Sequence, residues 1–356
     1  MPFDDRTFPS AEAAGFRRNR VRVAIWLFAV SYMIWVMVPL GGATRLTGSG
    51  LSIMDWQPVS GTLPPLSHGE WERLFSLYKT IPQYHDLHEG MGLAGFKQIF
   101  WLEWLHRAWG RLIGVVFLLP LIWFALTGAI ERRLVPRLVL LFCLGGLQGA
   151  VGWFMVESGF FPDSDSVSPY RLVIHLTLAL CLFSAVFWTA LSLTQPVPLS
   201  IIAGGRVRRL AIAATALVGL TIIAGGFTAG THAGLIYDTF PLMGGHLIPG
   251  DYASHLGVLR NLTENRTAVQ FDHRVLATMT ALTVLATLIA GFRLRLPRPA
   301  RIALVSMACV VAVQYSLGIV TLLSHVAIPL AVAHQATAVM LLAASLWVTH
   351  TLRGAR

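Results

Sequence analysis

The sequence predicts an all-α integral membrane protein whose eight transmembrane helices form two pseudo-symmetric four-helix bundles. Three observations carry that expectation. Of 356 residues, 55% are apolar and 12% charged, against about 45–50% and about 25% in soluble domains. Eight apolar, nearly charge-free stretches each have the roughly 20 residues that a helix rising ~1.5 Å per residue needs to cross the hydrocarbon core. Runs of that length exclude a barrel, whose strands cross in roughly 10 residues. Finally, the second half of the chain repeats the motifs of the first in the same order.

The spans are expected at 23–43, 99–127, 138–158, 170–193, 210–230, 270–291, 302–324 and 329–350. The first is expected to be a span rather than a cleaved signal, because Val23 to Leu40 leads into Gly41-Gly42-Ala43-Thr44-Arg45 without an A-x-A-like processing site. Arginines follow the even-numbered spans: Arg132, Arg133 and Arg137 after the second, Arg206, Arg208 and Arg209 after the fourth, and Arg293, Arg295, Arg298 and Arg301 after the sixth. With Arg6, Arg17, Arg18, Arg20 and Arg22 before the first span and Arg353 and Arg356 after the last, seventeen of the 27 basic residues fall on one side. The positive-inside rule makes that side the cytoplasm, so both termini are expected there and the protein in the inner (cytoplasmic) membrane. The same distribution absorbs most of the formal charge of +10, and membrane lipid rather than nucleic acid is the expected surroundings.

This topology divides the chain into a cytoplasmic tail (1–22), an N-terminal half (23–195), a cytoplasmic linker (196–209) and a C-terminal half (210–356). The outer connections, about 44–98 and 231–269, are rich in Trp, Pro and Gly and read as ordered turns and short interfacial helices that form lids. GGATRLTGSGL at 41–51 aligns without gaps on GGFTAGTHAGL at 225–235, six of eleven positions being identical. His106-Arg107 answers His273-Arg274, Gln148 with Gly152 answers Gln314 with Gly318, and His175 answers His334. Four spans per unit with both ends on one side imply a parallel duplication about an axis along the membrane normal. Cys143, Cys181 and Cys309 lie in spans and form neither C-x-x-C nor C-x-x-C-H, which excludes loop disulfides and covalently attached c-type heme.

Among twelve histidines, His106, His175, His273 and His334 stand at similar depths in the even-numbered spans. A polar side chain there is costly unless it pairs or faces a cavity, so each is a functional candidate, with an interhelical hydrogen bond as the alternative. Two facing imidazoles are the usual means of holding a non-covalent heme, and each half reads as a candidate heme pocket. Zinc fits less well, since it asks for more protein ligands. Glu103 precedes His106 by one helical turn, whereas Gln270 stands at the matching place before His273. It is a candidate proton acceptor or donor; the competing reading makes it an orienter of His106 or a partner of Arg107. Arg107, Arg111 and Arg274 suit heme propionates. They equally suit Glu103, Asp272 or lipid phosphate.

The strings GGATRLTGSGLS at 41–52, FWLEWLHRAWGR at 100–111, VSPYRLVIH at 167–175 and FDHR at 271–274 resemble those of heme A synthases, over essentially the whole chain and closest to the branch shared by proteobacteria and mitochondria. The resemblance implies an oxidoreductase that converts substrate heme O to heme A by two successive oxidations of the C8 methyl, for terminal oxidases. It also implies a heme b cofactor held by His273 and His334, with His106 and His175 facing the substrate heme and Glu103 as the family's acidic residue. Heme O synthase, cytochrome oxidase assembly factors and an unidentified electron acceptor are the implied partners. The cysteine pair of the Gram-positive branch is lacking in the first outer loop, so no thiol redox role is expected there. The chief rival is a di-heme b-type cytochrome that transfers electrons without altering either heme; a heme transporter or chaperone and a purely structural assembly factor are the others.

Overall fold

The computed structural model describes residues 10–56, 60–162, 164–253 and 255–355; Arg6 and Arg356 of the charge pattern lie outside the described residues. Among those described, eleven α-helices follow one another and there is no β-strand. They are α1 (Ser10–Leu46), α2 (His68–Tyr78), α3 (Pro82–Leu87), α4 (Leu93–Leu126), α5 (Val135–Glu157), α6 (Pro169–Thr194), α7 (Gly205–Gly230), α8 (Val258–Glu264), α9 (Arg266–Phe292), α10 (Arg298–Leu323) and α11 (Ile328–Thr351). Eight of these, all but α2, α3 and α8, are long and apolar enough to cross a membrane. The protein is a multi-pass helical membrane protein.

The helix starts follow from local chemistry. Proline stands in the first turn of α5, α6, α10 and α11, where its missing N–H costs nothing. The Asn265 side chain caps α9 by accepting from the Thr267 amide at 3.1 Å. Two helices begin earlier than hydropathy suggests. α1 starts at Ser10 rather than 23, because no proline or glycine separates the apolar run from Arg17, Arg18, Arg20 and Arg22, and Arg20 lies 3.9 Å from Glu131. α4 starts at Leu93 rather than 99; its first turns carry Phe96, Ile99 and Phe100 into a cluster with Leu51, Trp71, Phe75 and Tyr78 of the outer loop. That part of α4 packs against protein, so it does not need a lipid-like sequence.

In the first half α1 packs on α4 and α6, and α5 on α4 and α6; in the second α7 packs on α9 and α11, and α10 on α9 and α11. The halves meet through α1 against α11, α7 against α6, and α6 against α11. Polar contacts join them: Arg45 Nη1 donates to the Ala229 carbonyl at 2.9 Å and Trp35 Nε1 to the Ala336 carbonyl at 2.9 Å. Ser192 Oγ and His350 Nε2 lie 3.1 Å apart near the inner end. One apolar core fills the inner part of α1, α4, α5 and α6, and another fills the second half and extends onto α6. Both leave the outer parts of the bundles for the histidines.

Candidate functional site

Each of the four histidines lies against a glycine of a neighbouring span. A Cβ built on Gly41 of α1 would stand 2.8 Å from His106 Nε2, and one on Gly152 of α5 would stand 2.8 Å from His175 Cε1. In the second half the corresponding approaches are 3.1 Å from Gly225 of α7 to His273 Cε1 and 3.0 Å from Gly318 of α10 to His334 Cε1. Any side chain at these positions would push into the imidazole, so the rings occupy space that only glycine leaves open. His106 and His175 lie within electrostatic range of one another, as do His273 and His334, and all four are half-buried. Gln148 Nε2 stands 3.1 Å from His175 Nδ1, and Gln314 Nε2 3.4 Å from His334 Nε2. The histidines are conspicuous in the sequence, and these glycines and glutamines align between its halves, but no local pattern announces the contact of the glycines with the rings.

The two outer loops are latched by the arginine that follows the first histidine of each pair. Arg107 donates from Nη2 to the Ile53 carbonyl at 2.7 Å and from Nη1 to the Asp55 carbonyl at 3.1 Å. Arg274 donates from Nη2 to the Tyr237 carbonyl at 3.0 Å and from Nη1 to the Thr239 carbonyl at 2.8 Å. Residues 53 and 55 align with 237 and 239 when the ungapped match at 41 and 225 is carried forward. The residue one turn earlier joins each latch. Glu103, 2% exposed, accepts from Ser52 Oγ at 2.7 Å and the Ile53 amide at 2.9 Å on Oε2, and from Arg107 Nη2 at 2.6 Å on Oε1. Gln270, also 2% exposed, donates to the Tyr237 carbonyl at 2.9 Å.

Of the partners considered for these groups, the Glu103–Arg107 pair is present, while Asp272 accepts from the Tyr252 hydroxyl at 3.1 Å. Burial makes the Glu103–Arg107 pair interdependent, because removing either charge strands the other in a low-dielectric site. Arg111 lies one turn further along α4 and is half-buried. Trp56 of the first loop stacks on Trp153 of α5 with centroids 6.2 Å apart, and Arg107 lies over the same Trp153 ring at 5.6 Å.

The donor set suits a flat, axially ligated group. Among the described residues no three His, Cys, Asp or Glu side chains converge as a bare metal ion would require. The two imidazoles of each half, each set against a glycine, are the residues that would hold a heme iron. Gln148 Oε1 and Gln314 Oε1 are buried without a hydrogen-bond partner beside the second histidine of each pair, so each pocket retains polar capacity that the chain itself does not use.

The first outer loop is built on a buried phenol. The Tyr78 hydroxyl donates to Gln83 Oε1 at 3.0 Å and lies 2.6 Å from His88 Nδ1. Burial, reinforced by the negative charge of Glu103, raises the Tyr78 pKa and keeps the phenol neutral. Burial also lowers that of His88, which packs beside Gly48, a position at φ +66°.

Residues 24–346 match the family described as "Cytochrome oxidase assembly protein". The chain is 60% identical over 339 residues to the protein named "Heme A synthase" of Granulibacter bethesdensis, covering 95% of this chain and 89% of that one. It is 48% identical over 354 residues to "Heme A synthase 2" of Acidiphilium cryptum, covering 98% and 96%. A third relative, "Heme A synthase" of Rhodospirillum centenum, is 48% identical over 344 residues, covering 96% and 92%.

Proposed function

The chain belongs to the cytochrome oxidase assembly protein family, and from that premise, with relatives named heme A synthase along nearly its whole length, we propose that it is the oxidoreductase converting heme O to heme A. The observation that supports this best is two glycine-backed histidine pairs at matching places, of which only the first has an ionisable carboxyl in its latch. In this reading His106 and His175 would hold the substrate heme O, and His273 and His334 would hold heme b. A heme bound in these pockets would supply an iron redox centre for the two successive oxidations that turn the C8 methyl into a formyl group, the electrons passing on to an acceptor.

The protein supplies placement, proton handling and exclusion of water. The glycines set the depth to which each imidazole retracts toward its neighbouring helix. Glu103, the only acidic residue among the buried described positions, is assigned the proton transfers beside the substrate, while its bonds to Ser52, Ile53 and Arg107 fix the lid above it. Arg107, Arg111 and Arg274 supply positive charge for the propionates; Arg107 and Arg274 do so while holding loop carbonyls. The second half handles electrons on their way to an acceptor, and heme O synthase and oxidase assembly factors are the neighbours for delivery and collection. The arginine-rich ends support a reading in which both termini are cytoplasmic and the membrane is the inner one.

Histidine variants test the division of labour through heme content. His334→Ala is expected to lose heme b, and His175→Ala to retain heme b while losing heme O and heme A. Loss of the same heme from both variants would contradict the assignment of one heme to each half.

A further inference from the structure

The two halves differ in what stands between the second and third spans of each unit. In the second half Tyr315 of α10 and Thr278 of α9 join their hydroxyls at 2.9 Å, and Phe240 of the outer loop packs edge-on against the Tyr315 ring at 6.4 Å. This bar bridges α9 and α10 within one turn of Gln314 and Gly318. Counting from Gly152 and Gly318, the residue matching Tyr315 is Gly149; those matching Val311 and Ala312 are Gly145 and Gly146. Counting from His106 and His273, Ala281 is matched by Gly114. A Cβ on any of these four glycines would meet no atom within 4 Å.

Three further observations show that the difference is a gap rather than a change of packing residue. Gly145 lies on the inward stripe of α5, in step with the buried Leu138 and Leu141 and with Gln148 and Gly152, yet it is exposed. α4 packs on α5 less extensively than α9 does on α10. The aromatic contact from the lid is also displaced: Trp56 reaches Trp153, one turn outward of Gly149, whereas Phe240 reaches Tyr315 itself. Beside the gap, Gln148 Oε1 is buried without a partner. The pattern reverses further in. Phe117 and Phe142 stack at 6.1 Å and fill the inner part of the α4–α5 seam. In the second half a cavity of about 340 Å³ lies in the α9–α10 seam, bounded by Tyr315, Ala312, Val311, Ala281, Val284 and Ala308 and running inward from the bar.

We infer that the α4–α5 gap at Gly145, Gly146 and Gly149 is the lateral passage by which a farnesylated heme moves between the bilayer and the first pocket. The Tyr315–Thr278 bar closes the equivalent passage and retains the heme of the second. The proposal rests on the assignment of substrate to the first half and cofactor to the second. Its chemistry is that of the substrate class: a long isoprenoid tail prefers hydrocarbon to water, and it can stay in lipid while the ring slides past a glycine-lined edge. A pocket that turns over its heme needs such an opening, and a pocket that keeps its heme is served by a bar.

Hemes are extracted and identified from full-length protein purified after co-expression with a heme O synthase, and the purified protein is also incubated with apomyoglobin as a heme acceptor. Gly149→Tyr is expected to retain heme b while its heme O plus heme A content falls severalfold. Tyr315→Gly, which leaves the first half untouched, is expected to make heme b severalfold faster to pass to apomyoglobin and to admit heme O in its place. Wild-type heme composition and exchange in both variants would overturn the passage and leave the assignment of the halves standing. Loss of heme b, rather than of heme O and heme A, from a folded Gly149→Tyr protein would overturn both.

Discussion

Gly41 shows how little room surrounds the proposed ligands. An added methyl there would stand 2.8 Å from His106 Nε2, well inside van der Waals contact, so Gly41→Ala has to displace the imidazole or part α1 from α4. Heme O and heme A are expected to be lost from this variant while the heme b spectrum persists; unchanged content of all three hemes would show that the ring tolerates the shift. Glu103 separates two roles. Removing one partner of a buried pair costs about 3–5 kcal/mol, so Glu103→Gln is expected to loosen the first lid and to lower heme A formation with heme b content unchanged. Ser52→Ala removes one latch bond, the 2.7 Å contact to Oε2, and leaves the carboxylate in place. A fall in heme A formation in Ser52→Ala would assign weight to the latch, and normal formation would leave the proton role to account for the effect of Glu103→Gln. The histidines were legible in sequence because an imidazole in hydrocarbon is conspicuous. The glycines were not, since glycine in a span has many uses. Nor were the partners of Glu103, because Ser52 and Ile53 lie half a hundred positions away along a loop whose path hydropathy does not describe.

At the scale of elements, the outer loops are docked structures held by matching arginine latches. Arg274→Ala removes the donors to Tyr237 and Thr239; the second loop is expected to become protease-sensitive, and heme b to be released faster. The first loop should respond to pH through His88. Its folded pKa lies below the ordinary 6.5, so below that pH the unfolded loop binds a proton that the folded one resists, and loop stability falls as pH falls. Protection of the α2 and α3 amides, taken relative to intrinsic exchange at each pH, is expected to be lower at pH 5.5 than at 7.5, and the difference to shrink in His88→Gln; equal protection at both pH values would contradict this. The early start of α4 was hidden for the same reason that the loops are ordered. Lys97 and Gln98 interrupt the hydropathy signal, but the helix there is stabilised by packing on Trp71, Phe75 and Tyr78 rather than by lipid.

At the scale of the whole molecule, the eight crossings and their order were readable because hydrocarbon thickness sets span length and leaves few alternatives. How the halves meet was not readable. Contacts such as Arg45 with Ala229 and Trp35 with Ala336 join residues far apart in sequence, and no local pattern announces them. The resulting architecture places two histidine pairs toward the loop-bearing ends of the bundles, each near its own latched loop, with the Tyr315–Thr278 bar in the second half and glycines at the matching place in the first. The central claim is that one half holds a permanent heme and the other a heme that is chemically changed. The most direct measurement is extraction and chromatographic identification of the hemes in protein purified with and without a co-expressed heme O synthase. Heme b in both preparations, joined by heme O and heme A only when the synthase is present, is the predicted result. Heme b alone under both conditions, filling both pockets, would contradict it and leave an electron-transfer cytochrome.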